Sequence, residues 1–474
     1  MGSLSQFLPR LHSRALFLAL LLAPTEALAH ASDRGHVLLL PTGHYLIGGA
    51  LAVLATFAVL LLVAPERVDR WARARSSLGS LPASWQTATS ALALFILLGL
   101  LHAGFSGTRD PLANPLPLTV WTVLWVGVTL FQGTAGDLWR WIEPTRAPCA
   151  LATRLGWRPP LQLPPSIGMA PALPLFFLFA WFELIDAAPD DPERLAAVVL
   201  IYFLFTLGAC LLFGREAWLG RAEFLSILFS MLARLAPSEA REQDGCIRFA
   251  LRLPGAGLRD AEPLPLTGTL FLLMALAFVS FDGFNKTFLW LGTVGVNPLE
   301  FPGRSAMVLP NGLGLVAFAA GMPALFLVCV LIGAKLSGAA QPFGVLAGRL
   351  VWSLVPIALA YHFAHYLTVF LVNAQYWLVS LSDPFWRGWD LLGTARMPVR
   401  AAIAAGSDAA WAVWNAQAAA IVLGHVAGVL FAHGLAFTLA PEPSRAARLL
   451  APLTLLMVLY TLFGLWLLST PTGA

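Results

Sequence analysis

Ten apolar runs of membrane-spanning length recur along the 474-residue chain. A polypeptide crosses a bilayer only as helices or as a closed barrel, because every backbone polar group needs a partner within the protein. Runs of about 20 apolar residues predict helices. We therefore predict an all-α fold, a polytopic transmembrane helix bundle. The predicted spans lie near 42–64, 86–106, 117–137, 168–187, 194–213, 264–284, 311–334, 350–373, 409–438 and 449–469.

Composition excludes a soluble globular protein. Hydrophobic residues make up 58% of the chain, charged residues only 11%, and the mean hydropathy is +0.76. The net charge of +4 comes from arginines beside the spans, so it gives no support for nucleic-acid binding. The predicted partners are the lipid bilayer and a small lipophilic substrate.

Residues 1–29 have the pattern of a cleaved signal peptide. Arg10 and Arg14 precede a short apolar stretch, and Ala27-Leu28-Ala29 matches an A-x-A cleavage site. Cleavage would make His30 the new N-terminus, where its amine and imidazole could chelate a transition metal or belong to a plain linker. The mature chain, 30–474, is then a single transmembrane domain.

Arginine and lysine distribution predicts the orientation. If the mature N-terminus is exported, five loops are cytoplasmic, and they hold 19 of the 29 Lys and Arg residues. This asymmetry predicts a bacterial inner-membrane protein with both mature termini in the periplasm. The predicted inner loops are 65–85, 138–167, 214–263, 335–349 and 439–448.

Two connecting segments are long enough to have structure of their own. Within 214–263, the polar positions of 222–235 recur at helical period, which predicts a helix at the inner membrane interface or one packed as a support of the bundle. Segment 374–408 contains Trp386 and Trp389, which favours a cap over the outer mouth. The four cysteines lie in spans or predicted cytoplasmic loops, so we expect no disulfide framework.

The run 351–375 carries two histidines, His362 and His365, near its middle. Three residues of spacing place both imidazoles toward one side of a helix. Ionisable groups at this depth are costly and usually face a bundle interior or a wet cavity, where they bind a ligand or carry protons. The structural alternative is a pair of neutral histidines bonded to neighbouring helices.

Other ionisable residues fall at a similar level of the predicted topology. Imidazole and carboxylate are ligands of divalent transition metals such as zinc, and a site with three protein ligands leaves a position for water. We predict a metal site in which His362, His365 and His425 converge, with Asp282 as ligand or partner. The full set of candidates is His362, His365, His425 and His102 for the metal, and Asp282 and Glu183 for catalysis.

Several of these residues belong to stretches that resemble a family of bacterial multispanning proteins named fenitrothion hydrolases. The resemblance runs through most of the mature chain. It implies hydrolysis of an organophosphorus triester with release of a nitrophenol, and it assigns no catalytic residue. The stretches are WFELID at 181–186, FGRE at 213–216, RAE at 221–223, ARLAP at 233–237, SFDGF at 280–284, HFAH at 362–365, SDP at 382–384, GWD at 388–390 and GHVAG at 424–428.

Two classes of function follow from the sequence. The first is a membrane-embedded hydrolase that uses a metal-activated water on lipophilic organophosphorus triesters at the periplasmic side. The second is a transition-metal or proton-coupled transporter that uses the same histidines as passing ligands or proton carriers. Polar residues thin out toward the inner half, with His433 as the main exception, which favours the enzyme.

Overall fold

A computed structural model describes residues 42–60, 74–297, 303–403 and 406–470. Nine of its helical segments are long and apolar enough to cross a membrane, at Thr42–Leu60, Ser84–Ser106, Pro115–Thr134, Pro192–Phe213, Leu266–Phe284, Arg304–Ser337, Phe343–Ser380, Ser407–Leu439 and Pro443–Ser469. The helical-bundle prediction is confirmed. The helices are α1 (Thr42–Leu60), α2 (Ser84–Ser106), α3 (Pro115–Thr134), α4 (Trp139–Ile142), α5 (Arg146–Arg154), α6 (Ala172–Leu184), α7 (Pro192–Phe213), α8 (Arg215–Arg221), α9 (Phe224–Ala233), α10 (Ala256–Arg259), α11 (Leu266–Phe284), α12 (Phe288–Thr293), α13 (Val308–Ser337), α14 (Phe343–Leu350), α15 (Val355–Ser380), α16 (Ser407–Leu439) and α17 (Pro443–Ser469).

Apolar side chains cover the outer surface of the long helices. Phe95 on α2, Ile201 on α7 and Leu423 on α16 are 74%, 68% and 65% exposed. Exposure of apolar faces of this extent to water is unfavourable, whereas their contact with lipid chains is not. The exposed faces therefore support a multi-pass membrane protein.

The fourth predicted span, 168–187, is shorter than expected. Helix α6 has 13 residues, about 20 Å at 1.5 Å per residue, against about 30 Å for a hydrocarbon core. Its Phe176 is 1% exposed and packs against Phe271 and Phe278 of α11. One face of α6 thus packs against α11 while Leu178 on another face is 62% exposed, and Glu183 lies in the last turn of the helix.

A three-stranded antiparallel sheet was not predicted. Strand β1 (Arg75–Pro82) pairs with β3 (Cys246–Arg252), which also pairs with β2 (Ser238–Gln243). The β2–β3 hairpin turns at Asp244 and Gly245, both with positive φ. An Asp-Gly pair between strand-like segments is a strong hairpin signal, so the hairpin could have been predicted from the sequence.

Contacts between loops sort them onto two ends of the bundle. At the sheet end, β1 of 65–85 pairs with β3 of 214–263, Arg215 pairs with Glu143, and Arg349 donates to the carbonyl of Arg259 at 2.7 Å. At the opposite end, the Arg109 guanidinium pairs with Asp191. This grouping matches the predicted alternation of loops, while the sidedness and the choice of membrane stay predictions.

Helix α9 lies inside the bundle at the sheet end. Its Phe224, Ile227 and Phe229 are all at most 3% exposed, and the Glu223 carboxylate caps its N-terminus by accepting from Leu225 N and Ser226 N. Of the two predicted placements, support of the bundle is the one observed.

Helix α16 packs closely on α15 through a pair of glycines. A methyl group added at Gly424 would come within 2.4 Å of Ala360 Cβ, and one at Gly428 within 3.0 Å of the Ser353 carbonyl oxygen. The G-x-x-x-G spacing therefore fixes α16 against the helix that carries His362 and His365.

Candidate active site

A cavity of about 510 Å³ lies at the bundle end opposite the sheet. Helices α3, α6, α11 and α15 and the start of α13 enclose it. Its walls combine aromatic rings with ionisable groups, as small-molecule sites commonly do. The ionisable and aromatic lining residues are Trp121, Trp125, Glu183, Asp190, Asp282, Lys286, Arg304, His365 and Tyr366.

Asp282 is the centre of the hydrogen-bond network in this cavity. It lies in the last turn of α11 and its side chain is 6% exposed. One carboxylate oxygen, Oδ1, is 2.8 Å from Lys286 Nζ, and the other, Oδ2, is 2.6 Å from His365 Nε2. Two basic groups therefore compensate one buried carboxylate, as buried charge requires.

Lys286 joins Asp282 because it follows four residues later, on the same side of the chain as it leaves α11. The charge of Asp282 raises the pKa of the Lys286 ammonium above its ordinary value. The lysine side chain is half exposed and lines the cavity, so it presents a fixed positive charge to anything bound there.

Tyr366 links the two carboxylates predicted to be catalytic. Its hydroxyl lies 2.9 Å from Glu183 Oε1 and 2.9 Å from Asp282 Oδ2, and it accepts a hydrogen bond from Trp125 Nε1 at 3.2 Å. Because a hydroxyl has one hydrogen, it donates to only one carboxylate at a time. The Glu183 carboxylate has no second hydrogen-bond partner among the described residues, which leaves Oε2 available.

Arg304 fixes the end of α6 that carries Glu183. Its guanidinium donates to the backbone carbonyls of Glu183 at 2.6 Å and of Asp186 at 2.8 Å. The same side chain lines the cavity and adds a second positive charge opposite the carboxylates. Five planar donors allow arginine to hold both carbonyls and remain available to an anion.

His362 supports the cavity from behind its wall. Its Nε2 lies 2.9 Å from the carbonyl oxygen of Trp125, and its ring packs on Trp125 and Tyr366. Trp125 belongs to a π-helical stretch of α3, Leu118–Val128, and π-helices are frequent at functional sites. His362 therefore positions two residues of the network, and it is 6% exposed.

The four imidazoles predicted to bind metal do not meet. The Nδ1 of His425 is 2.8 Å from the carbonyl of Ile421 on its own helix, and its ring faces Tyr361 and Tyr460. His102 is exposed on α2, where its ring contacts Phe385 of the segment 381–403. Only His365 of the four lines the cavity.

Within the described ranges, no group of three or more His, Cys, Asp or Glu side chains could hold a metal ion. The residues present therefore do not fit the three-imidazole site expected from the sequence. The physical reason is helix rotation, since residues three apart differ by about 60° around the axis and His362 faces α3 while His365 faces α11. A bound divalent metal stays a prediction, and His30 and the signal peptide lie outside the described residues.

The sequence identified three members of the network and missed others. Glu183, Asp282 and His365 were predicted and do lie together. Tyr366, Lys286, Arg304 and Trp125 were not, although Tyr366 adjoins His365 and Lys286 has the i, i+4 spacing from Asp282 that places side chains together.

No family model matches the chain, and no curated protein or solved structure is significantly similar to it.

Proposed function

We propose that the cavity is the active site of a membrane hydrolase that cleaves lipophilic aryl esters of phosphoric or phosphorothioic acid. The observation that carries this proposal is the joined set Glu183, Tyr366, Asp282 and His365, which places a carboxylate and an imidazole in the wall of one cavity. The resemblance to the fenitrothion hydrolase family is the reason for choosing this substrate class.

Glu183 is the general base. Its free Oε2 accepts a proton from a water in the cavity as the water oxygen attacks phosphorus. Tyr366 holds the other carboxylate oxygen, and Arg304 holds the backbone of the same residue, so the carboxylate keeps a fixed direction.

His365 is the general acid. Its Nε2–H is held by Asp282, which leaves Nδ1–H of the imidazolium directed away from the carboxylate. As the phosphorus–aryloxy bond breaks, this proton passes to the aryloxy oxygen and a phenol leaves. The phosphate or thiophosphate diester acid that remains loses its proton to water in the cavity, and Lys286 and Arg304 stabilise the resulting anion. Glu183 and His365 return to their starting states by exchanging one proton with water in the cavity.

Release of 4-nitrophenol from a dialkyl 4-nitrophenyl phosphorothioate tests the proposal. Membranes with the wild-type protein should release it faster than empty membranes, and Glu183→Gln should lower the rate by about 10²–10⁴ because it removes a general base. Glu262→Gln is the matched control, since it makes the same chemical change on an exposed residue of the sheet end. Equal rates from wild-type and empty membranes would contradict the proposal.

A second candidate function is proton-coupled transport, and one observation favours it. His425 and His433 are buried in α16, and the Nε2 of each has no partner in the part of the chain that the structure describes. They are eight residues apart, about 12 Å along the helix, and His433 is nearer the sheet end. Proteoliposomes loaded with a pH-sensitive dye would show proton flux in the wild type and its loss in His433→Gln if this function holds.

A further inference from the structure

A second cavity lies on the other side of His365. Its volume is about 220 Å³, and it is enclosed by α11, α15, α16 and α17. His365 and Lys286 line both cavities, so these two side chains form a shared wall. The walls differ in character, since the second cavity is lined largely by aliphatic groups, including Val279, Ile421, Leu467 and Leu468.

The free nitrogen of His365 is on the side of this second cavity. A methyl group added at Gly283, which lines the second cavity, would lie 3.8 Å from His365 Nδ1. Among the described residues Nδ1 has no hydrogen-bond partner. The proton that His365 can give up is therefore next to an aliphatic chamber rather than to the carboxylates.

We infer that the second cavity binds the aryl leaving group of the substrate. This inference rests on the proposed function, and it assigns the two parts of the substrate to the two cavities. The phosphoryl group and the attacking water occupy the charged cavity, and the aromatic ring occupies the aliphatic one. Attack and departure then occur on opposite sides of phosphorus, the arrangement that displacement at phosphorus requires.

The size of the chamber fits a single ring. An apolar cavity of about 150 Å³ lined by aliphatic and aromatic side chains stays dry and binds benzene. A chamber of about 220 Å³ has room for one ring with small substituents. The hydroxyl of Tyr361, also in its wall, donates to the carbonyl of Tyr460 at 2.7 Å, so it does not make the chamber polar.

Filling the chamber tests the inference without depending on turnover. Binding of 4-nitrophenol to purified protein is measured by titration calorimetry for the wild type, Ile421→Phe and Gly283→Ala. Ile421 is 2% exposed and faces the chamber, so a phenyl ring there should occupy it and weaken binding at least tenfold. Gly283→Ala should weaken binding less, because a methyl group fills less of the chamber than a phenyl ring does. This methyl group would lie 3.3 Å from Leu467 Cδ1.

Two control variants introduce the same two residue types elsewhere. Leu423→Phe alters a 65% exposed position of the same helix, and Gly434→Ala adds a methyl group with nothing within 4 Å. Both should bind 4-nitrophenol as the wild type does.

The possible results distinguish failure of the aryl-binding inference from failure of the proposed hydrolysis. Weaker binding in Ile421→Phe with no hydrolysis by the wild type would support the chamber and contradict the proposed function. Hydrolysis by the wild type with equal 4-nitrophenol affinity in wild type and Ile421→Phe would overturn the inference alone. Absence of 4-nitrophenol binding to the wild type, or a lipid chain occupying the chamber in the purified protein, would also overturn it.

Discussion

The two ends of the bundle each bury a carboxylate against a basic side chain, and the two sites differ in what surrounds them. At the sheet end Glu143 is 3% exposed, and Arg215 donates to its Oε2 through Nε at 3.1 Å and Nη2 at 2.8 Å, while Thr145 N donates to Oε1. Asp282 is as well buried, but its partners Lys286 and His365 line cavities.

The comparison shows that burial and pairing alone do not identify a reactive site. Glu143 directly follows α4, and its two oxygens accept from Thr145 N and from Arg215 of α8, so it joins parts of the fold. The partners of Asp282 each keep a donor for a ligand, namely the N–H groups of the Lys286 ammonium that do not face Asp282 and Nδ1 of the His365 imidazole. Substitutions at the two sites should therefore affect different properties.

The largest expected effect is on turnover at the cavity end. His365→Gln and Asp282→Asn should each lower the rate of 4-nitrophenol release by about 10²–10⁴, because they remove the acid or the group that orients it. Both proteins should remain folded, as checked by size-exclusion chromatography in detergent. A rate within twofold of the wild type for His365→Gln would remove the distinction between the two ends.

The second effect is on stability at the sheet end. Glu143→Gln should lower the free energy of unfolding by about 3 kcal/mol, the lower end of the range for breaking a buried ion pair, because Arg215 keeps only its exposed partner Glu216. Thermal unfolding in detergent measures this loss, and 4-nitrophenol release per folded molecule should be unchanged. A variant that is stable but inactive would place Glu143 in the reaction instead.

A third effect concerns pH. Because Asp282 raises the pKa of Lys286 above its ordinary 10.5, the ion pair is present below that value and is lost only as the pH rises through the raised pKa. A reaction with a base and an acid has a bell-shaped pH profile, and the Lys286 ion pair should therefore not set its alkaline limb. Lys286→Arg should keep the shape of the pH–rate profile and change the rate only a few-fold. Movement of the alkaline limb in this variant would assign it to Lys286.

The smallest effect is expected at His362. A glutamine amide can still donate to the Trp125 carbonyl, so His362→Gln should lower the rate only a few-fold. His362→Leu removes this hydrogen bond and leaves Thr129 Oγ1 as the side-chain donor to that carbonyl, so it should lower the rate further. Elemental analysis of the purified protein should show no change in metal content for either variant. Loss of a bound metal ion in His362→Gln would restore the site predicted from the sequence.

The depth of the site residues along the spans could be predicted from the sequence, whereas the rotation of each helix about its axis could not. The apolar runs gave nine long helices and placed Glu183, Asp282 and His365 at one level, where they do meet. His425 is at a similar depth but faces Tyr361 and Tyr460. Which side of a helix faces a neighbour depends on packing, here the close approach at Gly424 and Gly428, and apolar composition all around a helix does not reveal it.

The sheet sets an order for biosynthesis. Strand β1 follows the first span, whereas its only partner in the described sheet, β3, comes after α7, α8 and α9. During translation more than 160 further residues must be synthesised before the backbone groups of β1 can pair with β3. A chain that terminates before Cys246 therefore keeps an unpaired strand edge beside the membrane, the kind of template on which other chains aggregate and which quality-control proteases meet first.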